Sequence, residues 1–522
     1  MASGIPYILP SPCRFQVEGD VVEDEATISE EPMALWKSSV PPIHYLPPEI
    51  LAEIFEIRTV GDSGLENEDF PGSLDTRKAP WMLGQVCPVW RSVATSTPSL
   101  WTRINISWKK KASGHCAVLP EALLNIQLER ARDQCLALSY YSEPESETGS
   151  PDERLREKFF SMICSRVSQW KTARLKGNMN SLDHLQHLHG AFRSLKRLEI
   201  QFLGDVQTLD TITACCAFED CPSLTELSLR TKAQVLLQNG FRIPWKQITR
   251  YESRQNCGWT PYLEDHIQTL PKLERVEVCI LSSAWQNVDV SQLPLNSPLK
   301  LCFLHTIVIN DNHYLPGSAS TLMSWLVLPA LRVLRISVDS SYTDTMLEFL
   351  DRSQCSLEEL AFPVICREGD NESRHSIIRF LKASALHSLR TFQIGGRSRY
   401  RCSYEPMWET VLESLTLERE GKAQVMPRLR RLVFDDLGDV IPNPTLLTML
   451  SSRCFVASEV SDNFGGHRLE ELAFWNFGRE HEKDRTPSQH TTMDRLMEFS
   501  SSSGLACNFY WGLLELSWYQ VD

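Results

Sequence analysis

Apolar residues recur along the chain in a fixed unit. The unit is an apolar position, two residues of any kind, a second apolar position, one residue of any kind, and a third apolar position. The last two apolar positions have the two-residue period of a short strand with one buried face. Clear copies begin at Leu195, Leu224, Leu273, Leu304, Leu331, Leu357, Leu389, Leu429 and Leu469, and weaker ones at Trp170 and Ile248.

The spacing of these copies predicts a repeat architecture. Most copies start 24 to 32 residues after the previous one, and the last two steps are 40 residues. Segments between copies have helical patterns, as in residues 343–350, where Met346, Leu347 and Leu350 share a face. One strand and one helix cannot bury their apolar sides alone, so neighbouring units must stack. The sequence therefore predicts an α/β fold, an irregular leucine-rich-repeat solenoid with a curved parallel sheet, over residues 165–499.

A different pattern precedes the repeats, and it predicts a helical domain over residues 41–104. Pro48 suits the first position of a helix, and Glu49 suits the positive end of its dipole. Four-residue spacings then give the helix a broad apolar face. The residues of that face are Ile50, Leu51, Ile54 and Phe55. A second apolar stripe at helical spacing consists of Leu83, Val86, Cys87 and Trp90.

Order, residue type and spacing in this region resemble an F-box. The segments that carry the resemblance are Leu-Pro-Pro-Glu-Ile-Leu, Ile-Phe, Val-Cys-x-x-Trp-Arg and Leu-Trp, within residues 43–101. The chain is most similar to the large fungal group of F-box proteins with irregular leucine-rich C-terminal regions. In that group an acidic, proline-containing insert separates the two halves of the motif, as residues 69–80 do here.

The resemblance implies that this domain docks onto the Skp adaptor of a cullin–RING ubiquitin ligase. The implied contact residues are Leu46, Pro47, Ile50, Leu51, Ile54, Phe55, Val86, Cys87 and Trp90. An alternative stays open, in which these apolar stripes form the interior of an ordinary helical hairpin that no longer docks. A unit of roughly 60 residues must in any case keep some apolar side chains for its own core.

Three further segments complete the predicted organisation. Residues 1–40 are acidic and poor in large apolar groups, which is typical of a disordered arm. Residues 105–164 are expected to link the helical domain to the repeats and to cap the solenoid. Residues 500–522 begin with a serine run and are expected to form a loose C-terminal tail.

Composition narrows the class of protein. The chain is 42% apolar and 23% charged, with a formal net charge of −13, and its one dense basic run is Lys109-Lys110-Lys111. This balance disfavours nucleic acid or an anionic membrane as partner. Sixteen dispersed cysteines indicate free thiols in a reducing compartment. Neither a signal peptide nor an apolar run of ~20 residues is present. We expect an intracellular protein of the cytoplasm, the nucleus or both.

Two segments of the sequence contain candidate catalytic or metal-binding groups. The segment Gly61-Asp62-Ser63-Gly64 is similar to a serine-protease nucleophile loop, but only His44 precedes it, within the helical motif. His184, His187 and His189 alternate with leucines at helical spacing and have no cysteine or carboxylate cluster beside them in the sequence. No common nucleotide-binding or zinc-protease motif occurs. The sequence thus predicts no catalytic residue, no metal and no cofactor.

The repeats themselves suggest a target-binding surface. Residues that flank the alternating apolar positions should point away from the core. In early repeats these residues are mostly charged, whereas in later repeats they become apolar. The predicted target-binding residues are Val308, Val333, Ala361, Val433 and Trp475. Alternatively, a loop or the C-terminal tail, with Phe509, Tyr510, Trp511 and Trp518, folds over this patch and hides it.

These features together predict a substrate-recognition subunit of an SCF-type ubiquitin ligase. The helical domain would bind the Skp adaptor, itself joined to a cullin scaffold, and the repeats would bind an unknown target protein. Catalysis would arise from proximity to the ubiquitin-conjugating enzyme, so this chain needs no reactive residue. The alternative is a leucine-rich protein-interaction scaffold that delivers no target for ubiquitination.

Overall fold

The computed structural model describes most of the chain between residues 43 and 510. The described ranges are 43, 46–61, 73–108, 121–142, 151–177, 185–202, 216–230, 242–254, 263–283, 297–311, 318–336, 343–363, 365–367, 371–395, 404–406, 408–417, 425–435, 443–454, 468–475 and 487–510. The predicted acidic arm of residues 1–40 lies outside them, as do residues 62–64 of the protease-like segment and residues 511–522.

One parallel sheet of 14 strands organises the described part of the chain. Its strands are β1 Arg103–Trp108, β2 Leu136–Ser142, β3 Trp170–Gly177, β4 Arg197–Phe202, β5 Glu226–Arg230, β6 Arg250–Ser253, β7 Val278–Ser283, β9 Thr306–Asp311, β11 Val333–Ile336, β12 Glu359–Pro363, β14 Thr391–Gly395, β16 Arg431–Asp435, β17 Glu471–Trp475 and β18 Ala506–Tyr510. They lie side by side in chain order. Two small sheets pair β8 Leu299–Lys300 with β10 Leu326–Val327, and β13 Ile365–Arg367 with β15 Tyr404–Pro406.

Helices occupy many of the connections, because parallel neighbours cannot be joined by a tight turn. The described α-helices are α1 Pro48–Gly61, α2 Leu83–Val86, α3 Pro88–Ser96, α4 Glu121–Ala131, α5 Pro151–Cys164, α6 Leu263–Thr269, α7 Ser318–Trp325, α8 Thr343–Ser353, α9 Asn371–Leu381, α10 Trp408–Leu415, α11 Asn443–Cys454 and α12 Pro487–Ser503. A strand followed by a crossover, repeated in chain order, confirms the predicted α/β fold with a large parallel sheet, and it is consistent with a repeat solenoid.

The strand register matches the repeat unit for ten of the eleven predicted copies. Leu334, for example, is paired with Ile307 on one side and Leu360 on the other. Even the weak copy at Ile248 is in register, because Tyr251 is the partner of Leu227. The alternating apolar positions of each copy therefore lie in continuous rows across the sheet, on the face that the core covers.

The copy that begins at Leu273 was assigned the wrong register. The prediction placed Val276 and Val278 at the alternating buried positions, but Tyr251 is paired with Cys279 and Ser253 with Leu281. Two overlapping copies of the same spacing exist here, and the second one, from Val276, is the copy that the structure uses. The register shift places Ile280 on the outward sheet face, beside Glu252, where the prediction had charged residues.

The sheet is longer than predicted at both ends. Strands β1 and β2 lie between residues 103 and 142, where the prediction had the end of the helical domain and a linker. Their copies begin with Trp101 and Cys135 rather than leucine, which made them hard to recognise. At the other end, Ser500–Ser503 finish α12, and Gly504 terminates this helix with a positive φ of 68°. Residues 506–510 are therefore the last strand and not a loose tail.

The helices before β1 share one continuous core with the sheet, which extends from Leu51 to Leu505. The Trp101 indole N–H donates to the carbonyl of Ala94 at 2.7 Å, and the amide of Ser73 donates to the carbonyl of Asn105 in β1 at 2.8 Å. The helical segment is therefore packed onto the first strand of the sheet rather than separated from it.

Two further findings concern the described residues as a whole. Ten cysteines have described side chains, and all ten are free thiols. No helix in the described part of the chain is long and apolar enough to cross a membrane.

Candidate protein-binding surfaces

The first candidate surface is built on α1, which begins as its sequence predicts. Pro48 is the first helical residue, and the amide of Leu51 donates to the carbonyl of Pro47 at 3.1 Å. Glu49 lies in the first turn, where its carboxylate stabilises the positive end of the helix dipole. This start fixes the phase of the helix, so that Leu51 and Phe55 share one side of α1 and Ile50 and Ile54 share another.

Two of the predicted adaptor contacts belong to the core instead. Leu51 and Phe55 are buried, and the rings of Phe55 and Trp90 are 4.9 Å apart, which joins α1 to α3. Trp90 is half-buried against the same core. The prediction that Leu51 and Phe55 contact a partner is therefore corrected. Both sides of α1 carry apolar residues, and only the packing of α3 selects which side is inside.

The other apolar side of α1 faces solvent. The described part of the chain has nine exposed large hydrophobic side chains, and seven of them lie between residues 43 and 89. We call these seven the N-terminal apolar surface: Ile43, Ile50, Ile54, Ile57, Met82, Val86 and Val89. Such a concentration of exposed apolar groups is typical of a protein-binding site. Elsewhere on protein surfaces, exposed apolar residues usually occur singly.

The remaining predicted contact residues differ in how exposed they are. Pro47 is exposed, whereas Leu46 is half-buried and packs on the core. The Cys87 sulfur accepts a hydrogen bond from the amide of Trp90 at 3.4 Å, so Cys87 caps α3. Its cap positions the helix that carries Val89 and Trp90.

Part of the N-terminal apolar surface was not predicted from the sequence. Ile57 lies seven residues after Ile50 and three after Ile54, so helical spacing could have identified it. Val89 was overlooked because the neighbouring Trp90 dominated the second stripe. Ile43 and Met82 carry no periodic signal, since neither belongs to an α-helix of the described chain.

The second candidate surface is the open face of the large sheet, the side opposite the helices and the core. Val308, Ala361 and Val433 lie on this face, because they alternate with core residues and take no part in the continuous core. They are nevertheless buried, and Val333 is half-buried. Trp475 is the last residue of β17, and its side chain lies outside the described groups.

The predicted apolar target patch is therefore corrected: three of its five residues are inaccessible in this structure. Short side chains on strands ~4.8 Å apart are shielded by longer neighbours in the same row. Between Val308 and Ala361 that neighbour is Arg335, whose guanidinium contacts the Glu359 carboxylate at 2.6 Å. Phe509 and Tyr510 also do not belong to a tail that folds over this patch, because the backbone of both residues forms part of strand β18.

Charged residues dominate the open face of the earlier strands. The Glu199 carboxylate contacts Arg174 at 2.7 Å and Arg230 at 3.1 Å. The Glu252 carboxylate contacts Arg250 at 2.9 Å and Arg254 at 3.2 Å. Both carboxylates are buried, with only 3% of each residue exposed.

The electrostatics of Glu252 show how strongly these arginines act. Burial by itself would raise the pKa of this carboxyl group, since the charged form loses its water. Arg254, Arg250 and Arg197 outweigh burial, so the pKa lies below its ordinary value. Glu252 therefore stays ionised at neutral pH and holds the guanidinium groups in place.

The described residues of the histidine segment, His187 and His189, belong to no group of three metal-ligating side chains. His189 lies 3.2 Å from the Asp220 carboxylate, His187 is exposed, and His184 lies outside the described residues. No group of three or more metal-ligating side chains occurs within the described ranges.

No protein-family model matches the sequence, and no curated protein matches it either. The class that the structure defines is an α/β protein with a 14-stranded parallel sheet, preceded by short helices with an exposed apolar surface.

Proposed function

We propose that this chain is a substrate-recognition subunit of an SCF-type ubiquitin ligase, similar to F-box proteins with irregular leucine-rich repeats. The helices before the sheet would bind the Skp adaptor, and the sheet would bind a target protein. The chain would contribute proximity rather than a reactive group, which agrees with the absence of a recognisable catalytic motif.

The observation that carries the proposal is the N-terminal apolar surface. It coincides with the segment whose sequence resembles an F-box, although Leu51 and Phe55 are turned inward. A helical unit that served only as a cap for the sheet would have polar residues at Ile50, Ile54 and Val86. Their exposure is costly in water, and an adaptor that covers them would remove that cost.

The proposal is tested by placing charge in this surface. We expect the double variant Ile54→Asp and Val86→Asp to lose capture of a purified Skp adaptor, because a carboxylate cannot be buried without a partner. Central apolar contacts of an interface contribute about 2 kcal/mol or more each, which corresponds to roughly thirtyfold in affinity. Affinity would be measured by surface plasmon resonance on the immobilised full-length chain.

A matched control uses exposed apolar residues elsewhere. Phe303→Asp and Met497→Asp make the same chemical change outside the N-terminal apolar surface, and we expect adaptor binding to be unchanged. Equal adaptor binding by both double variants and the wild type would contradict the proposal. If the adaptor binds but the assembled ligase transfers no ubiquitin to any captured partner, the scaffold without delivery is the better description.

A further inference from the structure

The strands of the large sheet all begin at one edge, because they are parallel and lie side by side. In each repeat unit three residues lie at this edge: the two before the first position of the unit and the one after it. Backbone hydrogen bonds join the third of these residues from unit to unit. The amide of Lys196 donates to the carbonyl of Lys171 at 2.8 Å, and the amide of Arg430 to that of Arg390 at 2.9 Å. These residues form a continuous border, which we call the strand-start edge.

The strand-start edge is rich in positive charge. Three positions in each of 14 units, less His467, which lies outside the described residues, give 41 residues. Ten are Lys or Arg and five are Asp or Glu, a formal charge of +5 in a chain of net charge −13. Basic residues are thus about a quarter of the edge but only 53 of 522 residues in the chain, whereas acidic residues are equally frequent in both. No unit contributes more than two basic residues, so folding assembles the excess.

Most basic residues of the edge have no partner within the described ranges. Three of the ten contact a carboxylate of the next unit, at 2.8 to 3.8 Å. The other seven form neither an ion pair nor a side-chain hydrogen bond there. Six of the seven are exposed in two sets, the first basic group of Lys171, Arg193 and Lys196 and the second basic group of Arg390, Arg428 and Arg468. The units next to the first group contribute one acidic residue to the edge, Asp133 before β2.

The N-terminal helices lie at the same edge, where the sheet begins. The 3-10 helix Pro98–Trp101 directly precedes β1, and the hydroxyl of Ser99 donates to the carboxylate of Glu56 in α1. The first basic group lies at the starts of β3 and β4, two and three strands from β1. At ~4.8 Å per strand this separation is about 10 to 14 Å. The chain that enters α1 at Pro48 therefore arrives at the edge that carries the first basic group.

The acidic arm that precedes α1 has the complementary charge. Residues 18–31 contain seven acidic residues and no basic one, and residues 32–47 connect them to Pro48. A linker of this length spans about 22 Å as an average coil and at most about 55 Å when extended. Pro48 lies about 12 Å from Glu56 along α1. The first basic group is therefore within reach, whereas the second lies seven strands beyond β4, about 34 Å further along the sheet.

The connection to α1 favours contact between the arm and this group. Exposed ion pairs are individually weak and are screened by salt. A short flexible linker, however, raises the local concentration of one partner to the order of millimolar. Seven carboxylates can therefore associate with three cations of the same chain under conditions where separate molecules would remain apart.

We propose that acidic residues 18–31 bind the first basic group, so that the arm occupies the strand-start edge at β3 and β4. The inference goes beyond the proposed function and does not depend on it, because neither the adaptor nor a target takes part. It assigns a ligand to three cations that have no partner among the described residues.

Carbodiimide cross-linking of the full-length chain tests this contact, because the reagent joins a carboxylate directly to an amine. Trypsin cuts after Arg14 and Lys37 but nowhere between them, so residues 15–37 form one arm peptide that mass spectrometry can identify. The expected links join this peptide to Lys171 and Lys196.

Other exposed lysines provide the comparison. They are Lys300 and Lys382. At low salt we expect the arm peptide to be linked to Lys171 and Lys196 at least threefold more often than to these two. The preference should disappear at about 0.5 M salt, where exposed charges are screened. Equal linkage to all four lysines, or no linkage to Lys171 and Lys196, would overturn the proposal.

Substitutions distinguish the two basic groups. Arg193→Glu should lower the yield of links to Lys171 and Lys196 at least threefold, whereas Arg193→Lys should retain it. Arg390→Glu makes the same change in the second basic group and should leave the yield within 1.5-fold of the wild type. Circular dichroism checks the fold, and Arg193→Gln is the milder variant if Arg193→Glu is unfolded. An unchanged yield in the folded variant would refute the assignment.

Isotope labelling identifies whose arm is bound. Unlabelled chains and chains labelled with heavy nitrogen are mixed in equal amounts before cross-linking. Links within one chain join peptides of the same label, which is the expected result. Linked peptides of mixed label would show that the arm of a second copy occupies the edge, and would overturn the intramolecular proposal. None of these measurements contains the Skp adaptor, so their outcome is independent of the adaptor-binding experiment.

Discussion

Neighbouring residues of α1 have opposite surroundings. Ile54 is 40% exposed, whereas Phe55 is 1% exposed and contacts Trp90 of α3. Both are large and apolar, and both lie four residues after another apolar residue, so composition does not separate them. Their difference allows folding and docking to be tested with single substitutions on one helix.

We expect Phe55→Ala and Ile54→Ala to have different effects. Truncation of the buried ring should lower the free energy of unfolding by about 3–5 kcal/mol, because it leaves a cavity between α1 and α3. Ile54→Ala should change stability little but weaken Skp adaptor binding. Urea unfolding and adaptor affinity, measured on both variants, provide the comparison. Equal stability of the two variants would show that the interior of this helical segment is assigned wrongly.

Stability should also depend on pH through His266 in α6. This histidine is fully buried, its Nε2 lies 3.1 Å from the carbonyl oxygen of Ser282, and burial lowers its pKa to about 4. In the unfolded chain its pKa is near 6.5. Between these values the unfolded state binds a proton that the folded state excludes, so acidification destabilises the fold.

Between pH 7.5 and pH 5.0 this linkage should lower the free energy of unfolding by about 2 kcal/mol. Glu252 contributes little in this window, because a carboxyl group with a lowered pKa in the folded chain loses its stabilising effect only as the pH falls below the ordinary glutamate pKa of about 4.3. The variant His266→Gln, which cannot titrate, should lose correspondingly less stability. Urea midpoints of both proteins at the two pH values measure the difference. An identical loss of stability in the variant and the wild type would show that His266 is not the cause.

At the scale of elements, each strand of the main sheet forms backbone hydrogen bonds with the strand before it. Strand β17 is paired along its length with β16 on one side and β18 on the other. Strand β18 therefore protects a sheet edge that would otherwise expose unpaired amide and carbonyl groups. A long unprotected edge is a common site of association between chains.

We expect a chain that ends at Ser503 to associate, because the loss of β18 exposes both the backbone edge of β17 and its core residues Leu472 and Phe474. A chain that ends at Tyr510 retains β18 and serves as the matched control. Light scattering as a function of protein concentration distinguishes them, and the shorter chain should scatter more. The same scattering from both truncated chains would mean that β18 does not protect the edge.

At the scale of the whole molecule, the sheet order makes the architecture nearly one-dimensional. Each main-sheet strand pairs only with the strands before and after it in chain order. Different stretches of the same sheet can therefore acquire different surfaces without altering the fold. The charged open face around Glu199 and Glu252 and the buried apolar positions Val308 and Ala361 on later strands are two such stretches.

The sequence alone determined the parallel sheet and most of its register. A two-residue period within each copy fixes which side chains face the core, since a shift by one residue would expose all of them. The copy at Leu273 was misplaced because two copies overlap there, and β1, β2 and β18 escaped notice because their copies do not begin with leucine. The resemblance to an F-box identified the correct segment for the N-terminal apolar surface, but not which of its residues are exposed.

Only the tertiary structure decided which apolar side of α1 is inside, since α1 has apolar residues on both and α3 packs against one. It likewise decided that Val308, Ala361 and Val433 are inaccessible, because their shielding depends on longer side chains from neighbouring strands. The contacts of Glu199 with Arg174 and Arg230 join residues of three strands that are distant in sequence. Periodicity is a property of one segment, whereas burial and charge pairing depend on which segments lie side by side.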